Sequence, residues 1–201
     1  LDIENAKNNN ISEALIDRLT LDGKRVKAMA DSLIEISKLK DPVGQVLETR
    51  SGFAALSIKK VRVPIGVILV IYESRPNVTS DCVGLSLKSG NCVILRGSSE
   101  AINSNIAIFE VLNKEALKNK IPEDAIMMIR ETDRSVVNVL LAQEGLIDLV
   151  IPRGGESLIR EVAGNSKIPV MKHYKGVCHT YIDETADLKM AENICFNAKV
   201  Q

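Results

Sequence analysis

Tryptophan is absent from the chain, and aromatic residues as a whole make up only 3% of it. Proteins that hold single-stranded nucleic acid stack its bases on such rings, so that class of partner is excluded first. An excess of one charge is also lacking: 26 Lys plus Arg stand against 26 Asp plus Glu. No overall field therefore draws the chain to nucleic acid or to anionic lipid. No apolar run approaches the roughly 20 residues of a membrane span, and no secretory signal is present. Cysteine is sparse, at positions 82, 92, 178 and 195. That spacing contains no C-x-x-C metal pair and is too thin for a disulfide framework. The expectation is a cytoplasmic protein with no metal site, no membrane contact and no nucleic acid.

What is present is an ordinary globular composition, 45% hydrophobic and 26% charged over 201 residues, enough to bury a sizeable core. The chain is organised around residues 61–100. Val67 to Ile71 is a continuous, β-branched aliphatic run and reads as a strand buried on both faces. Thr79 is placed to cap a helix carrying Val83 and Leu87 on one face, and Gly90 sits where that helix should stop. Cys92 to Leu95 begins a second apolar run, ending in Arg96-Gly97-Ser98-Ser99-Glu100. Strand, helix, strand and polar glycine turn form the unit that sets a ligand at the carboxyl edge of a parallel sheet.

Residues 1–43 read as a helical segment, with a stripe of Val26, Met29, Ala30 and Leu33, a cap at Asp22 or Thr20, and a stop at Pro42. Residues 44–63 alternate only in part and are open to two readings, a connector or a hairpin for self-association. From 64 to 201 helices and strands alternate: a helix near 99–118, a strand at Ala125 to Ile129, a helix from Thr132 or Asp133 stopped by Gly145, and a strand at Ile147 to Ile151. A turn at Pro152-Arg153-Gly154-Gly155 leads into a helix with Leu158, Ile159 and Val162. Short strands are predicted at Ile168 to Met171 and Val177 to Ile182, and a last helix from about Thr185 turns Leu188, Ala191 and Ile194 inward. This alternation predicts an α/β fold, a doubly wound parallel sheet with an N-terminal helical segment.

Three stretches can carry chemistry. The glycine- and serine-rich turns at 96–100 and 152–157 suit a phosphate, because backbone approaches closely there and helix N–H groups follow. They read equally well as ordinary helix starts with Ser98 and Ser157 near cap positions. The turn from Tyr72 to Asn77 offers Glu73, Arg75 and Asn77 for an anionic substrate or an oxyanion, or else is a surface turn fixed by Pro76. His173 and His179 surround Cys178, yet a cysteine entering an apolar strand is usually a small buried hydrophobe.

Residues 63–81, 89–101, 146–160 and 168–183, taken with SEALIDRLTLDGKRVKAMADSL and KDPVGQV nearer the start, resemble the gamma-glutamyl phosphate reductases, or glutamate-5-semialdehyde dehydrogenases, of the aldehyde dehydrogenase superfamily. The resemblance runs over essentially the whole chain. It implies a Rossmann-type cofactor domain and NADPH-dependent reduction of L-glutamyl 5-phosphate to glutamate 5-semialdehyde in proline biosynthesis, through a cysteine thioester. It implies cofactor contacts at Arg96, Gly97, Ser98, Ser99 and Glu100 and at Pro152, Arg153, Gly154 and Gly155, with Arg96 offering charge to the 2′-phosphate of NADP. Substrate contacts are expected at Glu73, Arg75 and His173, with Asn77 as the oxyanion candidate. The family's nucleophilic cysteine follows an N-A-K-x-Q segment, which residues 197–201 match. The chain is therefore expected to be a piece of a longer protein: the cofactor domain, incomplete, with the catalytic domain absent, inactive alone and a homo-oligomer when whole. A nucleotide-binding module without catalysis and the reductase half of a bifunctional kinase–reductase are the alternatives.

Overall fold

The computed structural model describes residues 1–172 and 178–200. Its centre is the aliphatic run anticipated above, which forms a strand over Val67–Tyr72. In chain order the helices are α1 (Asp2–Asn8), α2 (Glu13–Leu19), α3 (Gly23–Lys38), α4 (Asn77–Lys88), α5 (Ile102–Lys118), α6 (Ser135–Leu141), α7 (Glu156–Asn165) and α8 (Leu188–Val200). The strands are β1 (Val46–Ser51), β2 (Ser57–Val61), β3 (Val67–Tyr72), β4 (Cys92–Arg96), β5 (Ile126–Met128) and β6 (Leu149–Arg153).

Strands β3 to β6 form one parallel sheet in the order β5-β4-β3-β6. Successive strands step outward from β3 to β4 to β5, and the chain then returns through α6 to place β6 on the free side of β3. That reversal makes the gap between β3 and β6 a topological switch point. Residue alternation along β3 divides the core. Ile68, Val70 and Tyr72 join Val83, Val93, Leu95 and Ile126 on one face, and the partly buried side chains of α4 and α5 cover them. Leu69 and Ile71 join Leu141, Val150, Val162 and Ile168 on the other, under α6 and α7. A strand buried on both faces must be apolar at every position, which is why the run lacks polar alternation.

The N-terminal segment is helical as expected and consists of three helices. Asp22 accepts the Arg25 N–H at 2.7 Å and caps α3. Thr20 instead donates to the Ile16 carbonyl at 2.8 Å and closes α2. Helix α3 ends at Lys38, before Pro42 can act. Residues 46–61 pair as an antiparallel hairpin whose two strands are exposed throughout.

Five expectations need correction. Thr79 does not cap α4: it lies inside the helix, fully buried, because the chain already turns helical after Pro76. Pro152 and Arg153 continue β6 rather than turning, held by pairing with Ile71 and Tyr72. The expected strand at 168–171 is reduced to a single bridge between Val150 and Val170. Residues 178–182 form no strand, and position 177 lies outside the described residues. In α8, Leu188 and Ile194 are exposed, at 79% and 54%, since nothing among the described residues covers that helix.

Candidate active site

Three strand ends meet at the switch point. Tyr72 of β3 is level with Arg153 of β6, and Ile71 with Arg96 of β4. Beyond them, the Glu73 N–H donates to the Arg153 carbonyl at 3.0 Å. The Glu73 carboxylate accepts the Gly155 N–H at 2.8 Å. Ser74 and Ser98 bring their hydroxyls to 3.4 Å across the β3–β4 gap. The turns at 73–77, 96–100 and 153–157 therefore line one crevice, as the strand order requires.

Glycine is imposed at two points of that crevice by crowding. A Cβ on Gly97 would fall 2.2 Å from Asn105 Nδ2 and 3.2 Å from Tyr72 Cζ. A Cβ on Gly154 would fall 2.5 Å from the Glu73 carboxyl carbon. Beneath Gly97 runs a buried polar chain. Thr79 donates to Asn105 Oδ1 at 3.2 Å and stands 2.7 Å from the Tyr72 hydroxyl. Thr79 has one hydroxyl proton, so Tyr72 is the donor to it. Burial, partly offset by that hydrogen bond, raises the Tyr72 pKa and keeps the phenol neutral. This is the role of Thr79 that sequence pattern missed: it ties β3, α4 and α5 together under the glycine turn.

Helix α7 starts from Gly155 with no side chain capping its first turn, at the carboxyl edge of the sheet. The α7 N–H groups beyond Gly155, beside two glycines, suit an anionic ligand lying along that edge. Arg96, 8% exposed, spends Nη2 on the Thr132 carbonyl at 2.8 Å and reaches the Asp133 carbonyl at 3.4 Å, while its buried Nε has no partner among the described residues. Burial and the neighbouring Arg134 pull its pKa down, against Glu100 and Asp133. Arg134, which sequence reasoning passed over, thus adds a second cation near the end of β4. Ser99 and Glu100 begin a short 3₁₀ turn before α5.

The other side of the β3–α4 turn opens on a cavity of about 440 Å³ between α2, α3 and the start of α4. Arg18, Arg25, Ser32, Arg75, Asn77 and Asp81 are among its lining residues. Arg75 and Asn77 are both exposed, and Asn77 donates to Asp81 at 3.3 Å. Glu73 faces the crevice through Gly155, whereas Arg75 and Asn77 line the cavity, so one five-residue turn serves both compartments. His173 lies outside the described residues.

The buried thiol of Cys82 is not poised as a nucleophile by its surroundings. Burial, with Asp81 adding to it and Arg153 opposing, pushes the Cys82 thiol up to about 11. Cys92 is half-buried in β4, and Cys178 is exposed. Cys195 lies on α8 and is half-buried. Among the described residues no cluster of His, Cys, Asp or Glu could hold a metal ion. No described helix is long and apolar enough to cross a membrane.

The chain is similar over its whole length to proteins named gamma-glutamyl phosphate reductase. It is 54% identical to that of Desulfatibacillum aliphaticivorans, covering 99% of this chain and 48% of the relative. It is 57% identical to that of Thermoanaerobacter pseudethanolicus, covering 100% and 48%. The crystal structure of the Thermotoga maritima gamma-glutamyl phosphate reductase superposes with a TM-score of 0.91 at 44% identity, over 100% of this chain and 48% of that one. That of Saccharomyces cerevisiae gives 0.78 at 35%, over 98% and 50%. The chain thus spans about half the length of the curated relatives it matches. The aldehyde dehydrogenase family matches residues 21–201, a span containing the whole sheet, the crevice and most of the cavity, and the chain belongs to that family.

Proposed function

We propose that this chain is the cofactor-binding portion of a cytoplasmic, homo-oligomeric reductase that converts L-glutamyl 5-phosphate to L-glutamate 5-semialdehyde with NADPH, releasing phosphate, as a step of proline biosynthesis. What carries the reading is a whole-chain likeness to gamma-glutamyl phosphate reductases in a molecule whose three strand ends converge on one glycine-lined crevice. Membership of the aldehyde dehydrogenase family implies a nicotinamide cofactor.

The crevice residues fit such a group. Gly97 and Gly154 bring backbone without side chains to the crevice, and the first turn of α7 favours a pyrophosphate. Arg96, Ser98, Ser99, Glu100, Pro152, Arg153 and Gly155 complete the cofactor set. Arg96, with Arg134 beside it, supplies positive charge suited to a 2′-phosphate. When bound, the nicotinamide supplies the hydride. Glu73 orders the α7 start by holding the Gly155 N–H. Arg75 and Asn77 present cationic and amide donors to the acyl phosphate and its oxyanion from the cavity side of the same turn. The acyl-accepting thiol is assigned to a segment other than these residues, because burial holds Cys82 protonated, Cys92 opens β4 at the end opposite the turn, and Cys195 precedes the residues 197–201 that resemble the family's segment before its nucleophile.

The test is phosphate-dependent oxidation of glutamate 5-semialdehyde with NADP by the complete protein and by residues 1–201. Activity in the complete protein and none in the 201-residue chain is expected. Turnover by the shorter chain that vanishes in Cys178→Ser or Cys195→Ser would overturn the assignment of the thiol. No activity in the complete protein would overturn the function.

A further inference from the structure

Resting on that reading of the reaction, we infer that the cavity between α2, α3 and α4 recognises the amino-acid end of the substrate, with Asp81 receiving the α-ammonium and Arg18 the α-carboxylate. Three observations carry this. First, the cavity holds a carboxylate that is oriented but not neutralised. Asp81 accepts from Ser32 Oγ at 3.1 Å and from Asn77 Nδ2 at 3.3 Å, both uncharged, and it has no cationic partner among the described residues. Secondly, the three arginines that line the cavity are not equivalent. Arg25 is committed: its guanidinium binds the Asp17 carboxylate at 2.8 Å, the Thr20 carbonyl at 2.9 Å and the Asp17 carbonyl. Arg18 and Arg75 make no ion pair among the described residues. One unneutralised carboxylate and two unpaired guanidiniums around one volume of about 440 Å³ match a zwitterion that carries an extra anionic group.

The third observation is the order of these groups along α4. Its start, at Asn77, has no side-chain cap, and Arg75 stands just before it in the turn shared with the crevice. The acyl phosphate must lie at this end, near the hydride donor. Asp81 is four residues further along the helix, a rise of about 6 Å. In an extended glutamyl chain, ordinary bond lengths put the α-nitrogen about 5 Å from the acyl carbon. Arg75, before the helix start, and Asp81, within the helix, can therefore meet the two ends of the substrate, with the Asn77 amide between them and in contact with Asp81. Asn77 touches both, orienting Asp81 while lying beside the acyl end. Asp81 and Arg18 are accordingly specificity residues.

The test compares two aldehydes with the complete protein in the oxidative direction: L-glutamate 5-semialdehyde and 5-oxopentanoate, which lacks only the amino group. Wild type should prefer the amino aldehyde by about 10- to 100-fold in kcat/KM, the range for loss of a charge-assisted hydrogen bond. Asp81→Asn should remove most of that preference by slowing the amino aldehyde alone. Arg18→Gln, on the exposed surface of α2, should raise KM about tenfold for both aldehydes, since both carry the distal carboxylate. Retained preference in Asp81→Asn, an equal loss on both aldehydes, or an unchanged KM in Arg18→Gln would each overturn the inference while leaving the proposed reaction standing. A wild-type protein that oxidises neither aldehyde would overturn both.

Discussion

Replacing Gly97 by alanine should cost far more stability than the same change at Gly154, although both glycines sit in one crevice. The added methyl at 97 would meet Asn105 Nδ2 at 2.2 Å and the Tyr72 ring at 3.2 Å. Neither neighbour can move cheaply: Asn105 is fully buried and held by Thr79, and Tyr72 is 1% exposed in the central strand. Overpacking of this kind costs about 1–3 kcal/mol. Displacing Asn105 adds about 1 kcal/mol for its hydrogen bond. The sum, about 2–4 kcal/mol, should lower the thermal midpoint by roughly 5–15 °C for a domain of this size. At 154 the methyl meets the end of an exposed Glu73 side chain at 2.5 Å and the tip of the half-buried Leu158 side chain at 2.8 Å, two flexible ends that can swing aside. The loss there is one partly exposed hydrogen bond, about 1 kcal/mol or less. Differential scanning calorimetry of both variants reads the contrast. Equal midpoints, or a larger fall for Gly154→Ala, would refute the claim that the Tyr72–Thr79–Asn105 chain is packed rigidly against the glycine turn.

Asp2 accepts four hydrogen bonds, at 2.6 to 3.2 Å, from Asn103 and Ser104 at the start of α5. Burial raises its pKa but the hydrogen bonds outweigh that and leave it lowered. A depressed carboxylate contributes stability that is present above a pH of about 4 and is lost as the pH falls through its folded value. Asp2→Asn should therefore flatten the acid limb of a stability–pH curve, with hydrogen exchange faster at Asn103 and Ser104. An unchanged acid limb would count against this clamp. Cys82, with a thiol near 11, carries about a thousandth of its population as thiolate at pH 8. Native protein should show iodoacetamide modifying exposed Cys178 well before Cys82, and equal rates would contradict the burial argument.

The β3 and β4 strands were legible because burial on both faces demands unbroken aliphatic runs, and nothing else in the chain looks like Val67 to Ile71. The crevice was legible in outline for a related reason: a parallel sheet places its βα turns on one edge, so Gly97 and Gly154 had to share it. Pro152 and Arg153 were misread as a turn because proline rarely continues a strand. Here Pro152 sits in the edge strand β6, where its missing N–H costs no ladder bond to β3. The helical stripe of Leu188 and Ile194 reports that a face is apolar, not what covers it, and so pattern alone put it inside. The cavity was invisible in sequence because Arg18 and Asp81 come from distant helices. Only the packing of α3 on α4, with Ser32 on Asp81, brings them to one volume.

The central claim, that the three strand ends hold a nicotinamide dinucleotide, is tested most directly by titrating NADPH into the ¹⁵N-labelled chain and following its amide resonances. Saturable shifts are expected at 97–100 and 154–158, with the exposed strands β1 and β2 unmoved. Shifts confined to the cavity between α2 and α3, or saturable shifts that spare both glycine turns, would contradict the account.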